Sequence, residues 1–413
     1  MNKTTAEILN KYETYFSASH HVVLKNRGHA IVEDHREGDC IYDLDGKRYI
    51  DCISSLSIHN LGRRPAAIVE ELCKAIQETD QGNFPMISEE KATLAEKISR
   101  FVPANLECTV FSVIRGESID FACKLARGAT GRKELLSVDG SWFGQTGFAM
   151  SLSDRKDREI YGPLIPNVGQ LPFGDIEAAR EMITKTTSAV FIEPVQAENN
   201  CRQAGREYLK SLRKFCAKKG ALLILDETQS GMGRTGKKFA FEESGIMPDV
   251  LVLGEALGAG MFPIAATVFT QRLNKFMNAH PMIHLSTFGG SDLGCRVAQK
   301  ALEEYERLKP WDNAARSGKK LREGLETLRN SHPNMIQSLD GRGLLLSMDM
   351  GTADTALAFC RAAAEKGLLV CPGDVARCSV VFRPSLLISE ETVVGILQAV
   401  SDALAVMSYG FSK

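Results

Sequence analysis

The stretch LLILDETQSGMGRTG, residues 222–236, decides the fold, because a continuous apolar run passes directly into polar residues and a glycine-rich loop. Its first four residues are all apolar, as a strand buried on both faces must be. Asp226 and Glu227 follow at the end of this strand, where a carboxylate is costly to desolvate unless it meets a cation. Asp226 is therefore either a partner for a protonated ring nitrogen or a helix cap or structural ion pair. The glycines alone indicate no more than a turn.

Helices alternate with further short apolar strands from about residue 65 onward. The other predicted strands of this part lie at residues 109–113, 135–138, 189–192, 250–253 and 264–269. This alternation predicts an α/β fold with a mostly parallel sheet, and ligands bind such sheets beyond the carboxyl ends of the strands. Polar clusters stand at three of these ends, at residues 115–118, 193–196 and 226–229. We expect the functional site where these clusters meet.

Composition restricts the class of protein. The 413 residues include 50 basic and 51 acidic side chains, a formal net charge of −1. This balance argues against a nucleic-acid partner, which usually leaves a basic surface. The 11 cysteines occur singly, a pattern that favours reduced thiols over disulfides or a metal site. No secretory signal or membrane-length apolar run is recognisable, so we expect a cytoplasmic enzyme for a small molecule, with no membrane partner.

Several motifs resemble those of the class III aminotransferases (the ornithine and ω types), which are pyridoxal-phosphate enzymes of fold type I. Residues 225–236 and 248–260 carry this resemblance, which covers nearly the whole chain. Matching segments occur in the family's order at residues 43–51, 124–127, 130–132, 193–194, 287–290 and 341–344. More weakly, residues 141–147 and 257–260 resemble the dialkylglycine decarboxylase branch.

The resemblance implies a large domain with a seven-stranded, mostly parallel sheet and a small α+β domain. Residues 1–60 would form the N-terminal part of the small domain, residues 61–300 the large cofactor-binding domain, and residues 301–413 the C-terminal part of the small domain. Within the first part, Asp43-Leu44-Asp45-Gly46 predicts a hairpin turn. The resemblance also implies a homodimer with shared active sites.

The implied cofactor is pyridoxal 5′-phosphate or pyridoxamine 5′-phosphate, and the resemblance assigns side chains to its ring. Asp226 would pair with the pyridinium nitrogen and keep the ring an electron sink, and Gln229 would touch the ring hydroxyl. Trp142 would stack on the ring face, the alternative being a core aromatic. Glu193 and Phe143, which stands where a histidine is usual, would complete the ring site.

Two further residues gain roles from the resemblance. Thr287 would reach the phosphate in the neighbouring subunit's site. Arg383 would clamp a substrate carboxylate through two parallel hydrogen bonds from its guanidinium. A surface ion pair remains the alternative for Arg383, because the proline pair expected after it is replaced by Ser385-Leu386-Leu387.

The phosphate cup and the lysine position depart from the family's pattern. The family's Ser-Gly-Thr-Glu-Ala becomes Ile114-Arg115-Gly116-Glu117-Ser118. Gly116 would let backbone N–H groups approach a phosphate at a helix N-terminus, whereas Arg115 would either add a cation to the phosphate or fill the cup with its bulk. Glu255 occupies the position of the Schiff-base lysine, and no nearby lysine replaces it.

Three functions are open at this point. A carboxylate cannot form an imine, but Glu255 could shuttle a proton between C4′ of the amine-form cofactor and the substrate α-carbon. The leading function is therefore an aminotransferase-like enzyme that binds the cofactor noncovalently and acts on an amino or keto substrate, with Glu255 and Asp226 as catalytic residues. The second is a noncatalytic pseudo-aminotransferase used for binding or assembly. The third is an ordinary transaminase that carries a lysine-to-glutamate change.

Overall fold

A computed structural model describes residues 4–83, 85–103 and 105–411 of the protein. The chain begins with α1 (Thr5–Tyr12), a π-helical turn (Glu13–Ser17), α2 (Ala18–Asn26), β1 (Glu33–Glu37), β2 (Cys40–Asp43), β3 (Arg48–Asp51) and the short α3 (Ser54–Ser57). Strands β2 and β3 pair antiparallel on either side of residues 44–47. The hairpin turn that the sequence predicts there is confirmed.

The middle of the chain alternates strands and helices. Its elements are α4 (Ala66–Glu78), α5 (Glu89–Phe101), β4 (Cys108–Ser112), α6 (Arg115–Thr130), β5 (Glu134–Val138), α7 (Gly147–Leu152), β6 (Val168–Leu171), α8 (Ile176–Met182), β7 (Thr187–Ile192), β8 (Val195–Gln196), β9 (Arg202–Gln203), α9 (Arg206–Lys219), β10 (Leu222–Asp226), β11 (Val250–Leu253), β12 (Ala265–Phe269), α10 (Gln271–Ala279) and α11 (Asp292–Leu308). Short 3₁₀ turns lie at Lys156–Tyr161, Ala240–Ser244 and Glu255–Gly258.

Seven of these strands form one sheet in the order β4-β12-β11-β10-β7-β5-β6. Neighbours run parallel except at β12, which is antiparallel to both β11 and β4. Strands β7 and β10 are buried at every residue, because helices cover both faces of the sheet, and this explains their continuous apolar sequence. The predicted fold class, α/β with a mostly parallel seven-stranded sheet, is confirmed.

Strands β8 and β9 pair in a two-stranded sheet, and both ends of the chain build two four-stranded sheets. The C-terminal elements are α12 (Pro310–Ser331), β13 (Ser338–Arg342), β14 (Leu345–Asp349), α13 (Ala353–Glu365), β15 (Leu368–Leu369), β16 (Cys371–Pro372), β17 (Ser379–Phe382) and α14 (Glu390–Phe411). One four-stranded sheet has the order β1-β2-β3-β15 and the other the order β13-β14-β17-β16. A core cluster accordingly joins Cys52 to side chains between Ala314 and Met407. The exact domain boundaries at residues 60 and 300 remain a prediction.

Helix α14 is long and apolar enough to cross a membrane by composition alone, over Glu390–Ser408, and 44% of its most apolar window is buried inside the protein. Its buried side chains Val393, Ile396 and Val400 pack in the core cluster that joins both ends of the chain. Core helices of globular domains have the same composition.

Candidate functional site

The three predicted polar clusters meet at the carboxyl edge of the large sheet. Arg115 is the first residue of α6, Glu193 directly follows β7, and Asp226 ends β10. Arg115 Nε donates a hydrogen bond of 2.8 Å to Asp226 Oδ2, and Arg115 Nη2 donates one of 2.7 Å to Glu193 Oε1. All three side chains are buried. One guanidinium therefore bridges two carboxylates at the centre of the site.

Aromatic side chains border this guanidinium. Arg115 Cζ lies 4.9 Å from the Trp142 ring centroid, within the range of a cation–π contact. The backbone N–H of Trp142 donates to Glu193 Oε2 at 2.8 Å, so it also fixes that carboxylate. Phe143 is completely buried in the core and meets the ring of Phe191 edge-on at 6.1 Å. Trp142 thus faces the site, whereas Phe143 mainly supports it from the core.

The charges of the site are unbalanced, because two acids share one cation. Burial raises the pKa of Glu193 to about 7; Asp226 acts in the same direction and Arg115 opposes it. Burial also disfavours the charge on Arg115, but Asp226 and Glu193 outweigh this effect and raise its pKa. The guanidinium therefore stays charged and holds the two acids together.

Glu255 turns into the site. It opens the 3₁₀ turn after β11, and its Oε1 accepts a 2.8 Å hydrogen bond from the backbone N–H of Arg115. The carboxylate therefore caps the N-terminus of α6, where the helix dipole favours an anion. At the next position, a Cβ on Gly116 would come within 2.7 Å of Thr146 Oγ1. Any larger residue at this position would therefore require the Thr146 side chain to shift.

Arg383 belongs to a second buried cluster next to the end of β17. Its Nη1 is hydrogen-bonded to Glu198 Oε1 and, at 2.6 Å, to Gln229 Oε1; its Nη2 lies 2.9 Å from Cys371 Sγ. Burial acts to raise the pKa of Glu198, but Arg383 holds that pKa below its usual range. The surface ion pair considered for Arg383 is therefore wrong, because its side chain is completely buried. Gln229 contacts this cluster.

Glu198 was not among the residues predicted from the sequence, whereas Thr287 was predicted to reach a phosphate in the neighbouring subunit's site. Glu198 lies just beyond the predicted polar cluster at 193–196, and its position after β8 was the available signal. Thr287 is exposed between α10 and α11, so its role in a neighbouring subunit remains a prediction. Thr228 donates its backbone N–H to Asp226 Oδ1 at 2.9 Å and thereby orients that carboxylate. Across residues 4–83, 85–103 and 105–411, no group of three or more His, Cys, Asp or Glu side chains is arranged to hold a metal ion.

Comparison with known proteins identifies the family. The family model "Aminotransferase class-III" matches residues 23–404. The chain belongs to the class III aminotransferase family. The prediction that the protein is an aminotransferase-family enzyme is confirmed by this match and by its aminotransferase relatives.

Similar aminotransferases match most or nearly all of the chain. An uncharacterized aminotransferase of Archaeoglobus fulgidus is 36% identical over 403 residues, 98% of this chain and 95% of the relative. A putrescine aminotransferase of Pectobacterium atrosepticum is 32% identical over 88% of this chain and 80% of its own length. The crystal structure of ornithine aminotransferase from Toxoplasma gondii superimposes with a TM-score of 0.90 at 25% identity, covering 99% of this chain and 97% of that one.

The class III family depends on pyridoxal phosphate, and another structure of the T. gondii enzyme is described with partial occupancy of this cofactor at its active site. Asp226, Glu193 and Trp142 offer the carboxylates and the aromatic face that suit a pyridinium ring. The guanidinium of Arg115 already lies between them. The cofactor therefore does not fit the described arrangement while Arg115 remains in this position.

Proposed function

We propose that this chain is a class III aminotransferase-family enzyme that acts on an amino or keto substrate and binds pyridoxal or pyridoxamine phosphate noncovalently. The carrying observation is that Asp226, Glu193 and Trp142 converge on one planar cation. A protonated pyridine ring is flat and positively charged, as a guanidinium is. The arrangement supports the proposal because this part of the site still suits a flat cation.

The chain's own residues would have separate tasks. Asp226 and Glu193 would hold positive charge beside the face of Trp142. Glu255 would accept or return a proton near the start of α6, since a carboxylate can do this but cannot form an imine. Arg383 would bind a substrate carboxylate in the place of its present partner Glu198, by exchange of one charge-assisted hydrogen bond for another.

The proposal is tested by cofactor retention and amino-group transfer. Native mass spectrometry would detect pyridoxamine phosphate bound without a covalent link. In parallel, ¹⁵N transfer from a panel of amino acids to a panel of 2-keto acids should exceed that of an Asp226→Asn control, which lacks the carboxylate that holds the ring's charge. A chain that neither binds the cofactor nor exchanges nitrogen at saturating cofactor would contradict the proposal.

Carbon dioxide release from α,α-dialkyl amino acids in the same samples would test the weaker resemblance to the dialkylglycine decarboxylase branch.

A second candidate function, a noncatalytic pseudo-aminotransferase, is favoured by the position of Arg115 in the ring site. It predicts that an Arg115→Gly variant binds cofactor yet exchanges no nitrogen. The third candidate, a transaminase with an altered lysine, predicts that Glu255→Lys produces an internal-aldimine absorption band together with turnover.

We further propose a cytoplasmic homodimer with shared active sites. Support comes from the segment around Thr287, where Met282, Ile283, Leu285 and Phe288 are each more than half exposed. Contiguous exposed apolar side chains mark contact surfaces more often than free surface. Light scattering after size-exclusion chromatography should give the mass of two chains, and a single-chain mass at micromolar concentration would contradict the dimer.

A further inference from the structure

The N-terminus of α6 holds an anion that the chain itself supplies. This helix runs for 16 residues, and its first backbone N–H, that of Arg115, donates to Glu255 Oε1 at 2.8 Å. Helix N-termini bind phosphate groups through the same N–H groups and the same dipole. The family resemblance puts the phosphate cup of a pyridoxal-type cofactor at this turn. The Glu255 carboxylate therefore lies where the cofactor's anionic end would bind.

The ring site holds a cation that the chain also supplies. The guanidinium of Arg115 is planar and delocalised, and its Cζ lies 4.9 Å from the Trp142 ring centroid. Hydrogen bonds of 2.8 and 2.7 Å tie it to Asp226 and Glu193. Without a cation in this place, the two buried acids would repel each other. The arginine thus meets the same electrostatic need that a pyridinium would meet.

The guanidinium of Arg115 leaves some buried hydrogen-bond donors of the ring site without partners. Arg115 Nη1 is buried and has no hydrogen-bond partner among the described residues, and the same holds for Trp142 Nε1. A buried donor without a partner is unfavourable. A competing ligand therefore does not have to replace a complete set of bonds in order to displace Arg115.

We infer that Arg115 and Glu255 act together as an internal substitute for the cofactor, with the guanidinium in the ring place and the carboxylate in the phosphate place. This inference deepens the proposed function and rests on it for the class of cofactor. The two residues are linked directly, because the Glu255 carboxylate binds the backbone of Arg115. A pyridoxal-type molecule must displace both, so the unaltered chain binds it weakly.

The two ends of the site can be tested separately with three probes. Pyridoxamine phosphate carries both ends, pyridoxamine carries only the ring, and inorganic phosphate carries only the anion. The chain has two tryptophans, Trp142 and Trp311, so a Trp311→Phe background leaves Trp142 as the single indole reporter at the site. Binding is followed by its fluorescence and by thermal shift, and neither readout requires turnover.

We expect Arg115→Gly to raise the affinity for pyridoxamine and pyridoxamine phosphate at least tenfold without improving phosphate binding. Glu255→Ala should instead improve the binding of phosphate and pyridoxamine phosphate but not that of pyridoxamine. The double variant should bind pyridoxamine phosphate most tightly. Arg100→Gly serves as the matched control, because the Arg100 side chain is 74% exposed, and it should change none of these affinities.

Equal affinities of the parent and the variants would overturn the inference. It would also be overturned if Arg115→Gly improved phosphate binding or if Glu255→Ala improved pyridoxamine binding. If Arg115→Gly does not fold, Arg115→Lys provides the same comparison, since it keeps the charge but loses the planar fork. Arg115→Lys should then raise the affinity for pyridoxamine and pyridoxamine phosphate by less than Arg115→Gly would. No rise in these affinities would overturn the inference. A tenfold gain in binding without amino-group exchange would count against the proposed function alone. Exchange without any gain would count against this inference alone.

Discussion

Replacing Arg115 by methionine tests whether one guanidinium neutralises the two buried acids. Methionine keeps a long flexible side chain but has no charge, so Asp226 and Glu193 lose the cation that now lies 2.8 and 2.7 Å from them. Removing one partner of a buried ion pair costs about 3–5 kcal/mol of unfolding free energy. Because two acids are left unpaired here, we expect the upper part of this range at pH 8.

The expected loss depends on pH because Glu193 can take up a proton. Its pKa of about 7 lies above the usual 4.5 even with Arg115 present, and loss of the cation raises that pKa further. An acid whose pKa is raised by folding costs no stability at a pH below its unfolded-state pKa. The free energy of unfolding falls as the pH rises from the unfolded-state pKa to the folded-state pKa, and the loss persists at higher pH. Glu193 carries its charge mainly above a pH of about 7 in the parent, so the missing cation costs more stability at pH 8 than at pH 6. The stability difference from the parent should therefore be smaller at pH 6.

Denaturant unfolding followed by circular dichroism at both pH values measures this difference. Arg100→Met is the matched control, because Arg100 forms an exposed helical pair with Glu96, and such pairs contribute about 0–1 kcal/mol. If Arg115→Met were as stable as this control at pH 8, the guanidinium would not be needed to neutralise the two buried acids. An equal loss at pH 6 and pH 8 would refute the part assigned to Glu193.

Three further changes should affect stability in defined ways. Burial raises the pKa of Glu227 from 4.5 to about 7, so this group should lower the parent's free energy of unfolding by about 3 kcal/mol as the pH rises through that interval. Glu227→Gln should remove this share of the pH dependence and leave the share that Glu193 contributes. A Cβ on Gly318 would lie 2.1 Å from the backbone oxygen of Gly343, so Gly318→Ala should lower the melting temperature through overpacking worth roughly 1–3 kcal/mol or more. Arg383→Lys should cost about 3 kcal/mol in denaturant unfolding, because lysine lacks the planar fork that reaches Glu198 and its neighbours.

Each of these changes has a result that would contradict it. Gly147→Ala is the steric control, because no non-neighbouring atom of the described residues lies within 4 Å of its added Cβ. If Gly318→Ala had the same melting temperature as Gly147→Ala, the packing argument would be wrong. If the free energy of unfolding of Glu227→Gln depended on pH as strongly as that of the parent, Glu227 would not be the acid responsible. Arg383→Lys with parental stability would show that a single charge is sufficient in that cluster.

Most of the fold could be predicted from sequence because strands covered on both faces need continuous apolar residues. Strands β7 and β10 follow this rule at every position. Strand β6 was not predicted, since Gly169 and Gln170 interrupt its apolar pattern. The antiparallel direction of β12 could not be read from its own residues, because direction depends on the connections and on the neighbouring strands.

The candidate site was predictable only in part. The family's motifs locate Asp226 and the lysine position taken by Glu255, but they left open whether Arg115 adds a cation to the phosphate or fills the phosphate cup. The structure turns the Arg115 side chain toward the ring site, where it joins residues 111 and 78 positions away along the chain. Arg383 likewise meets Glu198 across 185 positions. Such pairings depend on the assembled fold and leave no local pattern.

The parallel pairing of β3 with β15 places Ile50 opposite Leu368, and the backbone N–H of Arg383 reaches the carbonyl of Cys52 at 2.8 Å. During synthesis the ribosome releases β3 long before these partners exist. One edge of the early hairpin therefore stays open while most of the polypeptide is made, and open strand edges recruit other nascent chains. Translation that stalls before Leu368 would therefore leave a fragment with an unpaired strand edge, which favours aggregation.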